Sequence, residues 1–95
     1  MIISQVSIAP VGKGTSLSKY VKLSLDVFKE NNVKYKANDM GTVLETKDLE
    51  TLFKIVGLAH KAVLKSGAKR VITELKIDDR RDKDIHIGNK IDAIL

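Results

Sequence analysis

The sequence predicts an α+β domain of the ferredoxin-like type: a β-α-β-β-α-β sandwich with two helices on one face of a four-stranded antiparallel sheet. Three observations lead there. Apolar and polar residues alternate over residues 2–9, the pattern of a half-buried strand. Two longer segments carry apolar residues at intervals of three and four, the pattern of an amphipathic helix. The two halves of the chain share one layout, strand then helix then strand, without sharing a sequence. Strand order 4-1-3-2 goes with this topology and sets the first and third strands side by side in the centre.

In the first strand Ile2, Ser4, Val6 and Ile8 share one side, and Ile3, Gln5, Ser7 and Ala9 the other. Pro10 to Thr15 reads as a loop with two glycines, and Ser16 as the cap that accepts a bond from an otherwise unpaired helix N–H. Leu17, Val21, Leu25 and Phe28, widened by Val27, form the stripe of the first helix, which Asn31-Asn32 ends. Val33 to Asn38 is the second strand and Gly41 to Thr46 the third, a hairpin turned at Asp39-Met40. Asp48 is a good N-cap for the second helix, and Glu50 suits the positive end of its dipole. Its stripe is Leu49, Leu52, Phe53, Val56, Ala59, Val63 and Leu64, and Ser66-Gly67 stops it. Ala68 to Asp78 is the fourth strand, with Val71, Thr73, Leu75 and Ile77 on one side and Ile72, Glu74 and Lys76 on the other.

Residues 1–95 form a single domain, of which 82–95 are a C-terminal extension for oligomer contacts. Ile85 and Ile87 alternate with His86, as in a short edge strand. Ile91, Ile94 and Leu95 sit at helical spacing, suited to docking on a neighbouring subunit. The sheet face away from the helices mixes Ile3 and Ile72 with Gln5, Ser7 and Lys76. That mixture suits a subunit interface or a ligand floor better than bulk water.

Composition narrows the function. A chain with 43% hydrophobic and 31% charged residues folds rather than staying disordered. The absence of cysteine excludes disulfides, thiolate metal sites and cysteine nucleophiles together. No apolar run approaches the roughly 20 residues of a membrane span, and Met1 to Gln5 has no signal-peptide character, so a cytoplasmic protein is expected. The net charge of +5 comes from lysines spread over both helices, the pattern of solvated helical faces.

Several clusters could carry chemistry. Gly12-Lys13-Gly14-Thr15-Ser16 precedes a helix but lacks the spacing of a phosphate loop. Asp78, Asp79, Asp82 and Asp84 interleave with Arg80, Arg81 and Lys83, which favours ion pairs over a metal. His60 and His86 have no nucleophile or second ligand nearby in sequence and read as packed or interfacial. Ser7, Thr42 and Glu45 lie on neighbouring strands, where hydroxyls and a carboxylate can orient a polar heterocycle. Thr42 and Glu45 are three apart, so a regular strand turns them to opposite faces. Tyr35 could stack on an aromatic ring, and Gln5 and Lys76 complete the candidate ligand set.

At Ser7-Ile8-Ala9-Pro10-Val11-Gly12, Gly14-Thr15-Ser16, Ser18-Lys19-Tyr20-Val21, Met40-Gly41-Thr42-Val43-Leu44-Glu45 and Lys76-Ile77-Asp78-Asp79-Arg80-Arg81-Asp82-Lys83 the chain resembles the small thiamine-binding protein family. The resemblance covers the whole chain. It implies a non-enzymatic binder with no cofactor, taking thiamine or its hydroxymethylpyrimidine moiety at the sheet or subunit interface of a homo-oligomer, a dimer or tetramer. Related two-repeat binders carry similar serine-bearing and Thr-Val-Leu-bearing strands, which makes Ser7 and Thr42 the leading contacts. A net basic chain does not favour the thiazolium cation globally, so Glu45 is expected to offset that charge or to bond the aminopyrimidine. An RNA-binding module of this topology needs aromatic residues on its central strands; Gly41 to Glu45 and the first strand have none, so nucleic acid is not expected. An acylphosphatase needs a first-loop arginine, where this chain has Lys13. An amino-acid-sensing regulatory module of the same topology stays open as an alternative.

Overall fold

Strand β1, Ile2–Pro10, alternates along its length, and its partners are arranged around that alternation. The computed structural model describes residues 1–95. After β1 come α1 (Ser18–Glu30), β2 (Lys34–Asn38), β3 (Gly41–Thr46), α2 (Leu49–Lys65), β4 (Val71–Asp79) and a short α3 (Asn89–Asp92). The strands form one antiparallel sheet in the order β2-β3-β1-β4, the expected order read from the other edge.

Ile2, Val6 and Ile8 of β1 face the helices, as does Leu44 of β3. There they meet Tyr20 and Phe28 of α1 and Leu52, Ile55, Val56, Ala59 and Val63 of α2. Each large aliphatic side chain sealed in this layer contributes about 1.5–3 kcal/mol through water release. The one aromatic pair, Phe28 with Tyr35, has centroids 6.1 Å apart at 50°.

The helices depart from expectation in informative ways. Asp48 caps α2, accepting the Thr51 N–H at 2.8 Å, as its sequence position predicts. Ser16 does not cap α1; Leu17 occupies the cap position, and no side chain bonds the first-turn N–H groups. The buried line of α1 runs through Tyr20, Ser24 and Phe28, while Val21 is 42% exposed. Phe53 and Leu64 of α2 are also exposed. Gly67 ends α2 with φ +107°, a left-handed conformation that a side chain would strain.

A length mismatch shapes the sheet. The hairpin turns at Asp39-Met40, so β3 begins at Gly41 and its pairing with β1 ends at Val6↔Thr42. Strand β1 continues to Pro10 with β4 alone beside it. Ser7 to Pro10 therefore have an unpaired edge on the hairpin side.

The tail adds no edge strand. Residues 84–88 pass over the open face of the sheet instead, and Ile85 is only 3% exposed there. Glu45 takes the backbone N–H of Ile87 there through its side chain. Ile91, Ile94 and Leu95 remain exposed beyond this anchor. No helix is long and apolar enough to cross a membrane.

Candidate functional site

The unpaired end of β1 is one wall of a cavity of about 320 Å³. Val6 to Ala9 form that wall, the hairpin tip from Asn38 to Thr42 forms the second, and Leu17, Val21, Ser24 and Phe28 of α1 form the third. The volume lies at the lower end of the roughly 300–1,000 Å³ typical of small-molecule sites. Apolar walls with a few polar groups are the usual composition of such sites.

Two hydroxyls stand out in this setting. Thr42 is 7% exposed and shares the helix-facing side of β3 with Leu44. Ser24 is 6% exposed, and its Oγ is buried without a hydrogen-bond partner. A mid-helix serine commonly bonds the carbonyl one turn back; Ser24 does not, and its Oγ is closed off within the cavity wall. Gly41 lets the hairpin close against β1, since a Cβ there would meet the Val6 carbonyl oxygen and Gln5 Cγ at 3.2 Å each.

The sheet divides the sequence-predicted residues between its two faces. Val6, paired with Thr42, faces the helices, so Ser7 next to it turns toward the open face. Ser7 borders the cavity along the strand, but its side chain and that of Thr42 lie on opposite sides. Gln5 and Lys76 are cross-strand partners on the open face, away from the cavity. Tyr35 faces the helices and packs on Phe28, outside the cavity lining.

Glu45 is on the open face, as its spacing from Thr42 predicts, and it is already engaged. Its Oε1 accepts the Ile87 N–H at 2.8 Å, its Oε2 is 3.2 Å from His86 Nδ1, and Lys34 Nζ lies 3.9 Å away. Burial acts to raise the Glu45 carboxyl. The Ile87 N–H, His86 and Lys34 outweigh it and hold the group below the usual glutamate value. Glu45 thus clamps the tail instead of standing free for a ligand.

Other titratable clusters are structural. Arg80 binds Asp82 through two nitrogens at 2.6 and 3.0 Å, and Arg81 binds Asp79 through two at 2.8 Å. The Met1 amino group donates to Asp84 at 3.0 Å, and Lys90 pairs with Asp78. These are the internal ion pairs that the interleaved charges predict, and their exposure makes each worth little. His60 Nδ1 lies 2.6 Å from Thr73 Oγ1, tying α2 to edge strand β4.

Sequence reasoning passed over Ser24 and the hairpin tip as site residues. The signal was present: Leu17, Val21, Ser24 and Phe28 recur at four, three and four, which places a serine within an apolar stripe. Met40 at the tip is 86% exposed, an unusual position for a large apolar side chain.

A family model for thiamine-binding proteins matches residues 4–95. The chain belongs to the thiamine-binding protein family. Family relatives include a UPF0045 protein of Methanothermobacter thermautotrophicus, 44% identical over 95 residues, or 99% of this chain and 96% of the relative. The UPF0045 protein YqgV of Bacillus subtilis is 36% identical over 99% of this chain and 94% of its own length. The crystal structure of the hypothetical protein MJ1052 of Methanocaldococcus jannaschii superposes with a TM-score of 0.89 at 47% identity, covering 98% of this chain and 94% of that one. A Thermotoga maritima protein assigned provisionally to thiamine biosynthesis or salvage has the same fold, with a TM-score of 0.81 over 99% of this chain and 98% of that one, at 18% identity.

Proposed function

We propose that this chain is a non-enzymatic binder of thiamine or of its hydroxymethylpyrimidine portion, built on a ferredoxin-like frame and working as a homo-oligomer. The ligand occupies the cavity between α1, the end of β1 and the hairpin tip. One observation carries the reading: the Ser24 hydroxyl is buried in the cavity wall with no partner. Leaving such a group unbonded costs about 1–3 kcal/mol, a cost that a bound aminopyrimidine would relieve by shifting the wall enough to reach the oxygen. Thr42 supplies a second hydroxyl on the facing wall.

The family description supports the ligand class. The provisional assignment of the Thermotoga maritima protein to thiamine biosynthesis or salvage points the same way. The open face of the sheet carries Gln5, Lys36, Val43 and Lys76 and no aromatic side chain, so a base-stacking RNA platform has no counterpart here. Oligomer contacts fall to the exposed Ile91, Ile94 and Leu95 beyond the tail anchor.

Isothermal titration of the purified protein with thiamine tests this reading. A saturable signal is expected, and Thr42→Val, which replaces a hydroxyl by a methyl group of similar size, should weaken it by about 2- to 13-fold without unfolding the protein. No heat and no thermal shift with either thiamine or hydroxymethylpyrimidine would overturn it.

A further inference from the structure

We infer that the end of the molecule where α2 finishes is a docking surface for an anionic lipid bilayer. The surface stands apart from the cavity and follows from where the fold puts its unbalanced charge. Strands β1 and β4 are antiparallel, so Pro10 stands beside Val71 at one end of the sheet and Ile2 beside Asp79 at the other. The loop after β1 lies against the end of α2. There the Val11 N–H donates to the Arg70 carbonyl at 2.8 Å, and Lys13 Nζ lies 3.8 Å from where a Cβ on Gly67 would stand.

Five basic residues meet at this end: Lys13 from the loop, Lys61 and Lys65 from the close of α2, and Lys69 and Arg70 from its connection to β4. All five are exposed, and none enters an ion pair. They match the whole net charge of +5, since the other 12 lysines and arginines equal the 12 aspartates and glutamates in number. Acids gather at the opposite end. Asp48 and Glu50 open α2 there, and Asp78 and Asp79 close β4. Arg80 and Arg81 are already bound to Asp82 and Asp79. Two acids lie toward the basic end but face elsewhere. Asp39 is on the hairpin, which β1 separates from β4, and Glu74 pairs with Ser7 on the open face, away from α2. The dipole of α2 offsets roughly half a charge, and the rest is unanswered within the chain.

Apolar side chains decide the partner. At 3.6 residues per turn, Leu64, Lys61, Lys65 and Leu58 follow one another across an outward arc of roughly 120°. Leu58 and Leu64 are each 39% exposed, and Val11 in the adjoining loop is 42% exposed. A nucleic-acid backbone answers the lysines but offers nothing to these aliphatic groups. An anionic bilayer answers both, with charge at its surface and acyl chains beneath.

Sedimentation of the full chain with lipid vesicles tests the inference. Vesicles of phosphatidylglycerol and phosphatidylcholine in equal parts should carry the protein down, and vesicles of phosphatidylcholine alone should not. Lys65→Gln with Lys69→Gln should weaken binding about 25-fold, or about fivefold for each charge. Lys47→Gln with Lys83→Gln removes the same charge at the acidic end, beyond the screening length, and should weaken it less than about twofold. Leu64→Ser keeps every charge and should weaken it about two- to fivefold. Thermal melts confirm that the variants fold. Equal losses from the two double variants would reduce the effect to net charge and overturn the inference. Sedimentation with neither kind of vesicle, or equally with both, would overturn it too. Duplex DNA bound at least as tightly as the anionic vesicles, with no effect of Leu64→Ser, would give the surface to nucleic acid and refute the lipid assignment.

Discussion

Replacing Ser24 by alanine should raise stability and lower ligand affinity at once. The Ser24 Oγ is buried and unpaired, in a residue 6% exposed. An unsatisfied buried hydroxyl costs about 1–3 kcal/mol. Alanine is also the better helix former, while the lost oxygen gives up a few contacts worth about 0.1–0.2 kcal/mol each. The net gain is about 1 kcal/mol, which raises Tm by about 4–8 °C in a domain of this size. If the hydroxyl bonds the ligand, its loss removes about 0.5–1.5 kcal/mol of binding, or about 2- to 13-fold in Kd.

The assay is a thermal melt with and without thiamine, joined to calorimetric titration. The free protein should melt higher, and the increment that thiamine adds should shrink, because ligand stabilisation follows RT ln(1 + [L]/Kd). Thr46→Val is the control: Thr46 Oγ1 is also buried and unpaired, and the residue lies outside the cavity. It should raise Tm and leave Kd alone. A higher Tm with unchanged Kd in Ser24→Ala would remove Ser24 from the site. A lower Tm would show that the hydroxyl has a partner in the free protein and would refute the reasoning from an orphaned group.

Asp48→Ala should lower Tm by removing the acceptor of the Thr51 N–H, whereas Asp48→Asn should retain most of the capping; equal losses in the two would argue against capping as the cause. Glu45 titrates below its usual value in the folded state, so its clamp on the tail is fully present above pH about 4.3 and is lost as pH falls through the lower folded value. The Ile87 amide resonance should report that release, and a midpoint above pH about 4.3 would contradict the assignment. Ile85→Ala should cost less than the roughly 2–5 kcal/mol of a central core truncation, because detachment of the tail caps the loss; denaturant melts showing the full core penalty would mean the tail and sheet unfold as one unit.

Local patterns carried most of the frame. The alternation of residues 2–9 and the hairpin turn at Asp39-Met40 are encoded within a few residues, and β1 and β3 formed where those patterns lie. Helix α2 is equally local, since its cap at Asp48 and its stop at Gly67 bracket a long apolar stripe. The start of α1 was harder to read. A serine one position from the helix can cap only if the loop delivers it to the right place, and the two-glycine loop delivers Leu17 instead. The tail was illegible for a different reason: its anchor, Glu45, is 41 and 42 positions away from the groups it holds.

The candidate site shows why a correct local rule can still leave a site incomplete. Period-two alternation separates Thr42 from Glu45, and the structure agrees. The same rule separates Ser7 from Thr42, but only once the register Val6↔Thr42 is known, and register is set between strands rather than within one. The cavity itself comes from β1 outrunning its hairpin partner by four residues, Ser7 to Pro10, a mismatch that no window on either strand contains. Helix α1 then covers that gap with a stripe whose one polar member, Ser24, has nothing on the protein to bond. An unpaired strand end and an unpaired hydroxyl thus arise from different parts of the chain and meet in one place.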